Sequence, residues 1–365
     1  MSSLNINHLP VPTWNRLNVN HASLSCPEEL EQEGVELTIS GAGSPGIRIA
    51  EESRMRDISM PSALGDEAAA YVEQRASKRV YLEISGEHAP EQPVVISYTL
   101  KDSDLADVLE IYAKEGSRVT IVLSCRSQGT GGGFHGNLVR LYAESGASIR
   151  LIQVQMLGNE WISMDNVSAV CGDQAELTVT QIELGAAGAF SGCHAELRGY
   201  QSQADIRCYY IGNQEQELDF NYVVRHLAKK TKSTINAHGI LMDKSRKILR
   251  GTIDFPTGCA QSVGSEMESV LLLSPEVKNV TVPLILCTEE DVEGSHGATI
   301  GNLSQEQLFY LKCCGLTDTE IRYLLAESLT DTVCREALQE QLAEEIRQFT
   351  ANYLKEGGRT DESIL

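Results

Sequence analysis

Two stretches decide the fold: VLEIYAKEGSRVTIV (residues 108–122) and LVRLYAESGASIRLI (residues 138–152), which match position for position. Each reads as a strand, a short turn with a glycine (Gly116, Gly146), a small residue (Ser117, Ala147) and then an alternating strand. Weaker copies follow over residues 167–179, 196–208 and 223–237. The small residue recurs at Ala175, Ala204 and Ser233, in steps of 30, 28, 29 and 29 from Ser117 onward. A fixed period of this size with strand content alone is the signature of a β-solenoid. Each unit offers two alternating strands whose apolar sides cannot be buried alone, and stacking coils buries them. The pattern predicts an inward ladder of Val119, Ile149, Leu177, Ile206 and Ile235. Arg118, Thr120, Ser148, Arg150, Glu176 and Asp205 are then left on a solvated face. An antiparallel sandwich of hairpins is the alternative, but it needs no fixed period.

Working outward, the chain divides into a mixed N-terminal region (1–77), the solenoid (78–301) and a helical region (302–365). In the first, residues 56–76 suit a helix around Ala68, Ala69, Ala70 and Val72. In the last, Ser304-x-x-Gln307 and Thr317-x-x-Glu320 are capping boxes, and Gly315 is a stop after the first helix. A third helix is expected to carry Val333, Leu338, Leu342, Ile346, Phe349 and Tyr353 and to stop at Gly357 and Gly358. An open solenoid exposes strand edges at both ends. The flanking regions are placed to cover them, or one edge serves a partner.

Composition narrows the function. Of 365 residues, 42% are apolar and 22% charged, which is globular usage. The formal charge of −21 repels phosphate backbones and anionic lipid, so neither nucleic acid nor a membrane is an expected partner. No apolar run reaches membrane-spanning length, and the start shows no signal-peptide pattern, so the expected location is the cytoplasm. Ten cysteines include no CxxC pair, as suits buried thiols in a reducing compartment. There is no GxxxxGK[ST], GxSxG or HExxH. The glycine-rich residues 129–135 read as a loop with His135 exposed. The basic residues in 226–230 and 244–247 read as solvated surface.

One segment stands apart, PLILCTEEDVEGSHGATIG (residues 283–301). Within ten residues it holds a thiol (Cys287), four carboxylates (Glu289, Glu290, Asp291, Glu293) and an imidazole (His296), the ligand types that suit iron. The run SHGATIG (295–301), with LSQEQLFYL (303–311) and Gly315 after it and GILMD (239–243), RGTI (250–253) and LLLS (271–274) before it, resembles the SufB/SufD family, and SufD more than SufB. The resemblance is strongest over about 220–320.

That resemblance implies a right-handed parallel β-helix with a C-terminal helical domain. It implies a non-catalytic scaffold subunit of the SufBCD complex that assembles iron–sulfur clusters. In this family SufB and SufD pair through their β-helix ends, and each docks one SufC ABC-type ATPase through its C-terminal helices. SufC action exposes the site where a cluster forms. His296 matches the SufD histidine implicated in iron handling, with Glu293 as its orienting group and Cys287 as a substitute thiol. Iron or a cluster would be held only transiently, and no tightly bound cofactor is expected. The SufB assembly cysteine has no counterpart, since the chain reads SEMES over residues 265–269, and Gly294 stands where many SufD chains carry cysteine. A SufB-like homodimer with SufC is the alternative within the family, and a β-helix carbohydrate lyase or hydrolase is a remote one.

Overall fold

A computed structural model describes residues 2–13, 15–86 and 92–357. From Lys78–Ile84 to Val292–Asn302 the strands alternate between two parallel sheets, giving a β-solenoid of eight coils among the described residues. Residues 108 and 119 pair with 138 and 149, the offset the two matching stretches require. One file of side chains shows how the interior is built. Ile121, Leu151, Val179, Ile206 and Ile235 follow one another in register, all buried. Each fully buried aliphatic side chain contributes roughly 1.5–3 kcal/mol relative to exposure.

The corner between coils repeats as well. The residue before each small corner residue is left-handed at Gly116, Gly146, Gln174, Gln201, Lys230 and Gln261. The small residues that follow are Ser117, Ala147, Ala175, Ser202, Thr231 and Ser262, all fully buried. The expected ladder is therefore corrected in its later coils. Leu177 pairs with Ala204, while Ile206 pairs with Val179, a shift of two residues that keeps each side chain on its face. Ala204 and Ser233 lie one inward step past the corner.

The flanking regions cover mainly faces, and cover only one end. The N-terminal region carries α1 (Asp66–Arg75), shorter than expected from residues 56–76. Leu4, Ile6, Leu64, Tyr71 and Val72 pack on the outside of one sheet against Val108, Phe134, Leu138 and Met164. Asn166 accepts from the Ala63 amide at 3.0 Å, and Asn221 donates to the Ala63 carbonyl at 2.7 Å, tying this layer down. Farther along, Leu9 and Val19 reach Val282.

The C-terminal region holds α2 (Gln305–Cys313), α3 (Asp318–Glu336) and α4 (Glu340–Gly357). Both capping boxes form. Val333 belongs to α3, and Leu338 sits between the helices with φ 58°, so the third helix starts later than expected; Gly358 lies outside the described residues. α3 and α4 do not close the end of the solenoid. They pack Ala326, Val333, Leu342 and Ile346 onto an outward apolar patch of Val122, Ile152, Val154, Ile182 and Ile211. Arg150, expected in water, reaches Glu336 of α3 at 3.0 Å, and Arg207 reaches the same carboxylate at 3.0 Å.

The two ends differ. At the first coil, Val35–Ser40 and Ile47–Ala50 pair antiparallel with the edge strands. At the last coil, Lys278–Cys287 and Val292–Asn302 each pair on one side only, and no further strand covers them among the described residues.

Candidate functional site

All three site residues expected from sequence lie in the last coil. Gly294 fixes the geometry, because a β-carbon on it would meet the Ile285 side chain at 3.2 Å across the interior. The even-numbered residues from Val292 therefore face inward, and His296 does too. A β-carbon on Gly297 would instead meet the outward Met267 at 3.0 Å. Glu293, three residues from His296 on one extended strand, lies on the opposite face. Cys287 ends the facing strand, exposed, with Sγ 3.0 Å from the Glu289 carbonyl oxygen, to which it donates. Cys287 and His296 lie on strands of opposite sheets, two inward positions apart along the strand direction. The structure thus shares out the three residues along the rim of one open coil.

Beneath His296 the chemistry changes. His296 pairs in register with Glu266, and Ala298 with Glu268. Both glutamates are buried. Glu268 is fully engaged: Tyr210 donates to it at 2.8 Å, and Lys247 and Thr281 also contact its oxygens. Lys247 is fully buried, contrary to the solvated reading of residues 244–247, and burial lowers its pKa against the pull of Glu268. Glu266 has no such partners, and its Oε2 is without a hydrogen bond among the described residues. Burial pushes its carboxyl up to about 7; Glu268 reinforces the rise and Lys247 opposes it.

A second polar cluster lies sealed in the middle of the solenoid. His135, expected on an exposed loop, is buried in the strand Gly133–Ala143, with Nε2 3.0 Å from Asp107 Oδ1. Its pKa is raised: the charges and hydrogen bonds of Cys125, Asp107 and Asp165 outweigh the burial that lowers it. Asn137 donates to Asp107 at 2.6 Å and Gln153 to Asp165 at 2.6 Å. Burial, with Asp165 nearby, raises Glu183 to about 8. His226, expected at the surface, is buried between Thr231 and Ser233 at 2.6 and 2.9 Å, and burial lowers it to about 4. The alternation that runs through residues 138–152 extends back to His135, which pairs with Leu105. That phase marks His135 as inward, and the three preceding glycines obscure it.

Outside the solenoid, α2 buries none of its residues and leaves Phe309 and Tyr310 about two-thirds exposed. No helix among the described residues is long and apolar enough to cross a membrane.

Over residues 98–329 the sequence matches the family model described as SUF system FeS cluster assembly, SufBD core domain. The chain is similar to the iron-sulfur cluster assembly protein SufD of Bacillus subtilis, 27% identical over 124 residues, covering 34% of this chain and 28% of the relative. A chloroplastic SufBD family protein of Arabidopsis thaliana is 26% identical over 219 residues, 56% of this chain and 39% of the relative. One from Pyrococcus horikoshii is 25% identical over 230 residues, 62% and 51%. The chain spans about half, or less, of the length of these curated relatives.

Proposed function

The chain belongs to the SufBD family of the SUF iron–sulfur cluster assembly system, and on that premise we propose that it is a SufD-like, non-catalytic scaffold subunit acting in the cytoplasm. Its partners are a SufB-like chain, met at the open end of the solenoid, and a SufC ATPase, met through the C-terminal helices. Iron and the nascent cluster are its cargo, held transiently.

The observation that carries this reading is the last coil. Its two strands present unpaired backbone groups, which a second β-helix end satisfies by strand pairing. Exposed at that rim stands His296, the imidazole that receives iron. A neutral imidazole binds Fe²⁺ through one nitrogen while the other stays hydrogen-bonded. Glu293, on the outer face, draws cations to the rim by charge, and Cys287 is a thiol that can ligate iron of the nascent cluster as its thiolate. The bare face of α2 supports the SufC contact, with Phe309 and Tyr310 as its anchors.

Capture tests the reading. The tagged chain, co-expressed with SufB-like and SufC-like chains, should retain both. The double variant Phe309→Ala, Tyr310→Ala should keep the SufB-like chain and lose SufC, with the Tm unchanged because neither ring is packed. Equal SufC retention would refute the helical docking. A complex made of two copies of this chain with SufC, with no SufB-like chain retained, would replace the heterodimer by the homodimer.

A further inference from the structure

The inward file that ends at His296 is aliphatic through five coils, Ile121, Leu151, Val179, Ile206 and Ile235, and then turns to Glu266 and His296 in the last two. A carboxylate under a rim of this kind is costly unless something neutralises it. Two buried carboxylates, Glu266 and Glu268, share one buried ammonium, and Lys247 contacts Glu268. Glu266 is left without a counter-charge of its own, and its Oε2 has no partner among the described residues. Room for it is made from across the core. A β-carbon built on Gly251 would fall on the Glu266 carboxylate itself. The neighbouring coils fill the same inward file with Tyr222 and Pro283.

We propose that Glu266 and His296 together form this chain's half of a site for Fe²⁺ at the open end, with Gly251 as the opening that admits the carboxylate. The proposal rests on the reading of His296 as an iron-handling residue and deepens it. The two residues are directly paired on neighbouring strands about 4.8 Å apart, with both side chains on the inward face. A cation seated between them takes one carboxylate oxygen and one imidazole nitrogen, a hard and a borderline donor that suit Fe²⁺. It also supplies the charge that Glu266 lacks. Water, or groups from the partner at the open end, complete the coordination. The Glu268, Lys247, Tyr210 and Thr281 cluster lies beneath as a fixed floor.

The test is anaerobic titration of the metal-free full chain with Fe²⁺, read by calorimetry and by the Tm shift that binding produces. The wild-type chain should take up about one Fe²⁺ and gain thermal stability. Glu266→Gln, nearly isosteric, should fold with an unchanged or higher Tm and bind Fe²⁺ roughly tenfold or more weakly. Glu176→Gln, exposed on the outer face of a middle coil, should bind as wild type. His296→Ala should also weaken binding, which reports on the underlying reading. Loss in His296→Ala with wild-type binding in Glu266→Gln would overturn the proposal and spare that reading. Wild-type binding in His296→Ala would overturn both. Absence of saturable Fe²⁺ binding by the wild-type chain would overturn the proposed half-site outright.

Discussion

The two ends of the solenoid are made from the same repeat and finished in opposite ways. At the first coil, antiparallel strands take up the edge hydrogen bonds, and the inward residues there, Val80, Leu82, Val94 and Ile96, are buried. At the last coil nothing pairs with the outer edges among the described residues, and Ile300, inward by register, is more than half exposed. An uncapped end calls for a partner, because bare edges invite pairing. The change of inward chemistry from isoleucine to glutamate and histidine occurs at the uncapped end and not at the other.

The sharpest way to break this comparison is to place one charge at the same file position near each end. Ile121→Asp buries a carboxylate in the closed part and should cost several kcal/mol, a large share of a domain's stability. His296→Asp, in the same file at the open rim, should move the midpoint of denaturant unfolding hardly at all. Equal losses would mean that the last coil is not open.

The sealed middle gives the next largest effect, through pH. Glu183 has a folded pKa of about 8, above the unfolded value near 4.3. Its contribution is therefore fully present below pH ~4 and is lost as pH rises through ~8. Glu183→Gln has no such loss. Its stability relative to wild type should grow from pH 5 to pH 9, by an amount on the order of a few kcal/mol, in parallel urea titrations. A difference that does not vary with pH would contradict the buried acid.

The smallest effect concerns the flank. Glu336→Gln weakens the hold of Arg150 and Arg207 on α3, a half-exposed contact worth about 1 kcal/mol or less. A Tm drop of a few degrees that shrinks in high salt is expected. A loss as large as that of Ile121→Asp would mean that the helices, and not the coils, carry the fold.

Much of this was legible in the sequence, and the failures have physical causes. The first two coils carry glycine at the left-handed corner, so Gly116 and Gly146 announce the period. From Gln174 onward the same conformation is held by glutamine or lysine, which advertise nothing, so the recurring small residue points to a corner two residues late, at Ala204 and Ser233. Side chains on the inner file alternate cleanly where they are aliphatic. His135, His226 and Lys247 are inward too, but their chemistry reads as surface until the buried partners Asp107, Thr231 and Glu268 are known. His296 is legible from the run SHGATIG, and Cys287 and Glu293 from the thiol and carboxylates of the segment that leads into it. Glu266 is not, because its meaning depends on Gly251, fifteen residues away in the opposite sheet.

The central claim is that the open end handles iron through His296. It is tested most directly by the iron and acid-labile sulfide carried by the complex isolated anaerobically with its SufB-like and SufC partners. His296→Ala should leave the Tm and the partner composition unchanged and should sharply lower both iron and sulfide per complex. A stable His296→Ala complex with wild-type iron and sulfide would contradict the account.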